Sequence, residues 1–242
     1  MSKRNHRGIP MFMVERALPV LIFLLAAFVG ASPVQAGEYG SYDPKRIFVS
    51  SGTAAGQGHS LDMAYLDRML NDLGTHARNY PPRFDTPQDR ERAVRDVKML
   101  SGLLDILLEG PNPHPELLSR AGFLNGIGHN LDIAGSAQKS DAAFRKLLAA
   151  VPDDPRGNYM FGTFLAGAGK QKEALPYLEK ALAVGVTDAA YGLGMVHLTL
   201  GDKGKALEYL HAYKKHNPND GSVDTLIEAI RNGKVEVKRS PG

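Results

Sequence analysis

The chain has 242 residues, 29 Lys+Arg against 26 Asp+Glu, and a sequence pI near 9.0. That length supplies one large domain or two small ones with ample core. The absence of cysteine excludes disulfides, thiolate metal sites, cysteine nucleophiles and a cysteine-linked lipid anchor, and 43% hydrophobic with 23% charged residues argues against wholesale disorder.

The basic surplus sits at the start. Lys3, Arg4, Arg7 and Arg16 precede an apolar run from Ala17 to Val29, and Val34-Gln35-Ala36 places small residues before a cut. This is the pattern of a secretory signal peptide over residues 1–36. The run is shorter than the ~20 residues a spanning helix needs, so no stable membrane span is expected after cleavage. Cleavage after Ala36 removes four basic residues and Glu15, leaving 25 residues of each sign. A neutral mature chain has no general electrostatic drive toward nucleic acid.

Residues 37–59 are rich in Gly, Ser and Tyr and predict a flexible, irregular lead-in. A helical pair is expected over 60–110. Ser60 would cap the first helix, Met63, Leu66, Met69, Leu70 and Leu73 would form its apolar stripe, and Gly74 would stop it. Thr86, Pro87 and Asp89 open the second helix, whose run from Val94 to Leu108 ends at Gly110-Pro111. Nothing alternates with period two except a short tail at Val235–Lys238 within residues 234–242.

Over residues 111–233 the sequence repeats. Gly128, Gly162 and Gly194 recur at intervals of 34 and 32, as do Gly135, Gly169 and Gly201, and also Phe144, Leu178 and Leu210. Ala174-Leu175-Pro176-Tyr177-Leu178 echoes Ala206-Leu207-Glu208-Tyr209-Leu210. The first Gly column would let paired helices pack closely, and the second would turn the chain at positive φ. Each unit is a helix–turn–helix that must stack on its neighbours to bury its apolar face. The units run about Ala121–Asp154, Pro155–Val186 and Thr187–Asp220, and Val223, Leu226, Ile227 and Ile230 predict a capping helix ending at Gly233.

Asn158-Tyr159-Met160-Phe161-Gly162, Glu173-Ala174-Leu175 and Ala181-Leu182 resemble the signature of the tetratricopeptide repeat family. The resemblance implies an all-α fold: a short right-handed solenoid of about three repeats, with a C-terminal cap and the helical pair in front. It also implies a concave groove lined by the first helices. Its positions fall on Asn125, His129 and Asp132, then Arg156, Tyr159 and Thr163, then Tyr191, Met195 and Leu198. With two tyrosines, a methionine and few charges, the expected ligand is an extended or helical protein segment with apolar anchors.

Catalytic patterns are missing. His59, His76, His114, His129, His197, His211 and His216 contain no helical metal-ligand pair of the HExxH kind, so neither metal nor cofactor is expected. His211 and His216 read as a solvated Lys-rich face, and His197 as a packed, hydrogen-bonded core imidazole. Gly52–Ser60 lacks the Lys-Ser/Thr ending of a phosphate loop, and the adjacency of His59, Ser60 and Asp62 is not triad geometry. Lys203, Lys205, Lys214 and Lys215 read as the outer face of the last repeat. The expectation is a non-enzymatic periplasmic or secreted scaffold that binds another envelope protein. The alternative is an envelope assembly factor acting through its N-terminal helices or self-association; an envelope enzyme using His59 or His129 comes last.

Overall fold

In a computed structural model, residues 22–24, 37–53 and 56–237 are described. Most of the expected signal peptide and its cleavage point lie outside them. Strand β1 (Ile22–Leu24) pairs antiparallel with β4 (Val235–Val237).

The lead-in departs from expectation. A short 3-10 turn at Pro44–Ile47 is followed by a hairpin of β2 (Phe48–Thr53) and β3 (Gly56–Leu61), in register from Phe48↔Leu61 to Thr53↔Gly56. Before it, residues 37–43 form a strap across the helical pair. Tyr39 is fully buried, and its carbonyl accepts from Arg92 Nη2 at 2.8 Å. The Gly40 amide and the Tyr42 phenol both donate to Asp72 Oδ2, at 2.9 and 2.7 Å. The anchoring groups come from residues 30 or more positions away, so no local periodicity announces the strap.

Helix α1 spans Met63–Ala77. Its cap is Asp62, which accepts from the Tyr65 amide at 2.8 Å, while Ser60, the expected cap, is paired in the hairpin with Val49. The helix also runs through Gly74. A Cβ there would sit 2.9 Å from the Phe123 ring, so this glycine serves close packing and does not stop the helix. Helix α2 (Pro87–Leu107) starts as expected, with Thr86 Oγ1 accepting from the Asp89 amide at 3.1 Å, and it buries Ala93, Val97, Leu100 and Leu104.

Six helices then form three antiparallel pairs: α3 (Pro115–Asn130) with α4 (Ser136–Ala150), α5 (Pro155–Gly167) with α6 (Gln171–Ala183), and α7 (Asp188–Leu200) with α8 (Lys203–His216). The turn glycines Gly135, Gly169 and Gly201 have φ of 81°, 82° and 90°, a region costly for any side chain with a Cβ. A Cβ on Gly162 would fall 2.7 Å from Leu178, and one on Gly194 2.8 Å from Leu210. The chain is a solenoid of tetratricopeptide-like helical hairpins.

The first unit needs a correction. Its helix starts at Pro115 rather than Ala121, capped by His114, and the glycine under Phe144 is Gly122, where a Cβ would lie 2.7 Å from the ring. Gly128 lies six residues further along, and a Cβ there would meet Ser136 and Val97. Gly122 is thus the counterpart of Gly162 and Gly194, and the first hairpin carries a longer first helix and a longer turn.

The cap is α9 (Gly221–Arg231). It lays Val223, Leu226, Ile227 and Ile230 over Leu198, Ala206 and Leu210. Lys214 bridges Asp224 and donates to the Asp220 carbonyl at 3.3 Å, and His211 Nε2 lies 2.9 Å from Arg231 Nη2. Both side chains tie α8 to the cap, His211 from the exposed face expected of it and Lys214 from a half-buried position. His197 is buried as expected, stacked on Tyr209 with ring centroids 5.4 Å apart.

Candidate partner-binding groove

The first helices α3, α5 and α7 face a common groove of about 630 Å³. Each presents one residue directly after its packing glycine: Phe123 after Gly122, Thr163 after Gly162 and Met195 after Gly194. The glycine holds the second helix close, and the next side chain, about 100° further round the helix, projects toward the concave side. Tyr159, Phe164 and Tyr191 complete the apolar lining, and the end of α1 with its following loop adds Arg78 and Tyr80.

Packing fixes these side chains. The His129 ring meets Phe164 edge-on at 6.2 Å and 74°, and Tyr191 leans on Tyr213 at 5.4 Å. Arg78 stacks its guanidinium 6.0 Å from the Phe123 ring centre. Thr163 Oγ1 donates to the Tyr159 carbonyl at 2.8 Å. Burial raises the pKa of the Tyr159 and Tyr191 phenols, with the Asp188 and Asp220 carboxylates adding to the effect, so both stay neutral donors. Burial lowers the pKa of His129 against the opposing pull of Asp132.

Six of the nine expected groove residues line this space: His129, Arg156, Tyr159, Thr163, Tyr191 and Met195. Three do not. Asn125 is buried toward α2, where its Oδ1 accepts from Ser101 Oγ at 2.9 Å and its Nδ2 donates to the Ala121 carbonyl at 2.9 Å. Asp132 sits at positive φ in the turn after α3 and pairs with Arg90 at 3.3 Å. Leu198 is buried under the capping helix. The misphased first unit explains Asn125 and Asp132, since counting from Gly122 moves the frame by six residues. Leu198 turns into the cluster beneath the capping helix, while Tyr191 and Met195 of the same helix line the groove.

Phe123 and Phe164 line the groove outside the positions that the repeat resemblance implies. The Phe123 signal was available: it follows a glycine 22 residues before Phe144, and the glycine-rich stretch 122–128 offers two phases. Arg78 had no signal within the repeats because it comes from the preceding pair. Among the described residues no group of three or more His, Asp or Glu side chains is placed to hold a metal, and no helix is long and apolar enough to cross a membrane.

No protein-family model matches the chain, and no curated protein matches it. Solved structures do. A crystal structure of MamA is 20% identical over 61% of this chain and 80% of its own, with a TM-score of 0.44, and a second MamA structure is 20% identical over 71% and 84%, also at 0.44. TTC0263, a thermophilic TPR protein of Thermus thermophilus, is 14% identical over 70% and 92%, with a TM-score of 0.47.

Proposed function

We propose that this chain is an exported, non-enzymatic scaffold of the cell envelope that holds a segment of a partner protein in the groove of α3, α5 and α7. The observation carrying this reading is the continuous aromatic and apolar lining from Phe123 through Tyr159 and Phe164 to Tyr191 and Met195. Tyr191 is 39% exposed, a large apolar body with a polar tip left open to a ligand. Such rigid aromatics give contact area at low entropic cost.

The test is partner capture by cross-linking in the native compartment. Tyr159→Ala with Tyr191→Ala, folded by circular dichroism, weakens capture; undiminished capture removes the groove from the reading. Fractionation of tagged cells tests export, which a purely cytosolic chain would contradict.

One observation favours a second reading, assembly through the N-terminal pair. Ile106 on α2 is 66% exposed and Phe48 on the hairpin 50% exposed. Ile106→Asp then abolishes assembly while the tyrosine variants do not.

A further inference from the structure

We infer that the segment taken by this groove is acidic: carboxylates flanking an apolar anchor. The inference rests on the groove reading above and adds the chemistry of the occupant. The lining holds Arg78 and Arg156 and no Asp or Glu, with the amides of Asn71, Asn79, Asn130 and Gln171 around them. The whole chain carries 26 acids, so a lining of this size with two cations and no anion is a local departure from its composition.

Neither guanidinium forms an ion pair among the described residues, whereas Arg90, Arg92, Arg120 and Arg145 each do. Both are exposed. Two of the acids near the groove are engaged elsewhere, and Asp188, whose carboxylate acts on the Tyr159 phenol, lies outside the lining. Asp67 is held by Arg120 through two bonds of 2.7 and 2.8 Å, and Asp154 caps α5 by accepting from the Gly157 amide. Arg156 lies where the groove meets the neighbouring pocket containing Asp67, so its charge is felt on both sides, while Arg78 rides on Phe123. A carboxylate entering beside Phe123 meets guanidinium groups that hold no ion pair among the described residues, each capable of a bidentate contact. A lysine there meets only like charge. The chain's own basic N-terminal segment, with Lys3, Arg4 and Arg7, has the wrong sign to be the occupant.

Three short fluorescent peptides decide the matter by anisotropy with the full chain. One alternates Asp and Glu with Leu and Phe, the second carries Asn and Gln at the acidic sites, and the third carries Lys. The acidic peptide binds about tenfold more tightly than the amide peptide, and the gap narrows as salt rises. Arg78→Gln with Arg156→Gln erases the gap between the acidic and amide peptides, while Tyr159→Ala with Tyr191→Ala weakens both and keeps their ratio. Equal binding of acidic and amide peptides, or preference for lysine, overturns the inference and leaves the groove reading standing. Binding by none of the three, with tyrosine variants that still capture partner, overturns both.

Discussion

Tyr39 donates its phenol to Asp96 Oδ2 at 2.8 Å, joining residues 57 positions apart. Burial raises the Asp96 pKa, and the Tyr39 bond works against that rise by favouring the carboxylate. Tyr39→Phe keeps the packing and strands the carboxylate, which should cost about 1–3 kcal/mol in urea unfolding. Asp96→Asn keeps an acceptor for the phenol and removes the charge. With its folded pKa raised, Asp96 contributes stability at acid pH that is lost as pH rises through the folded value. Asp96→Asn therefore gains on the parent above that value and converges with it in acid; the reverse trend across a pH series would refute the assignment.

Gly162 and Leu178 form a size-matched pair. Gly162→Ala gains up to about 1 kcal/mol of helix propensity and loses about 1–3 kcal/mol to the clash with Leu178, so it is net destabilising. Leu178→Ala alone costs about 2–5 kcal/mol. The double variant should cost less than the sum, because the new methyl group enters space the leucine vacated. Strict additivity in a double-mutant cycle contradicts the contact.

Asn125 separates stability from binding. Its Oδ1 accepts from Ser101, whose hydroxyl in turn accepts from Lys139 Nζ at 3.1 Å. Asn125→Ala should cost about 1–3 kcal/mol by leaving Ser101 without its acceptor. Peptide affinity, measured well below the unfolding transition, should not move; a large loss of affinity would return Asn125 to the groove.

His129 shapes the pH dependence. Its folded pKa is lowered by burial, so the folded chain binds its proton less readily than the unfolded chain. The stability this provides is complete above the ordinary histidine value of about 6.5 and falls away as pH drops from there toward the folded value. His129→Gln should flatten the stability profile in that window, as followed by thermal unfolding at successive pH values. An unchanged slope means the ring is solvated.

Legibility followed spacing. In the second and third units glycine and leucine stand 16 residues apart, and helix, turn and close contact could all be read from that interval. In the first unit Gly122, Gly126 and Gly128 compete, and phase matching to the later repeats selects Gly128, whereas packing on Phe144 selects Gly122. Of the three groove positions expected in the first unit, only His129 survived the error, because the extended end of α3 returns it to the concave side. The strap and Arg78 were illegible for a different reason: their contacts join segments tens of residues apart, and no periodic signal encodes which distant surface a tyrosine or arginine will meet.

The apolar interior is divided among three clusters, one around the strap and the helical pair, one around the first two hairpins' contact and α7, and one under the cap. The groove crosses all three: Phe123 packs on the first, Tyr159 and Phe164 on the second, Met195 on the third. Units that meet only their neighbours can open one at a time. A ligand lying along Phe123 to Met195 would raise the free energy of opening any of them, and so convert a staggered melt into a single sharper transition. Occupancy would then be readable in the shape of the unfolding curve as well as its midpoint.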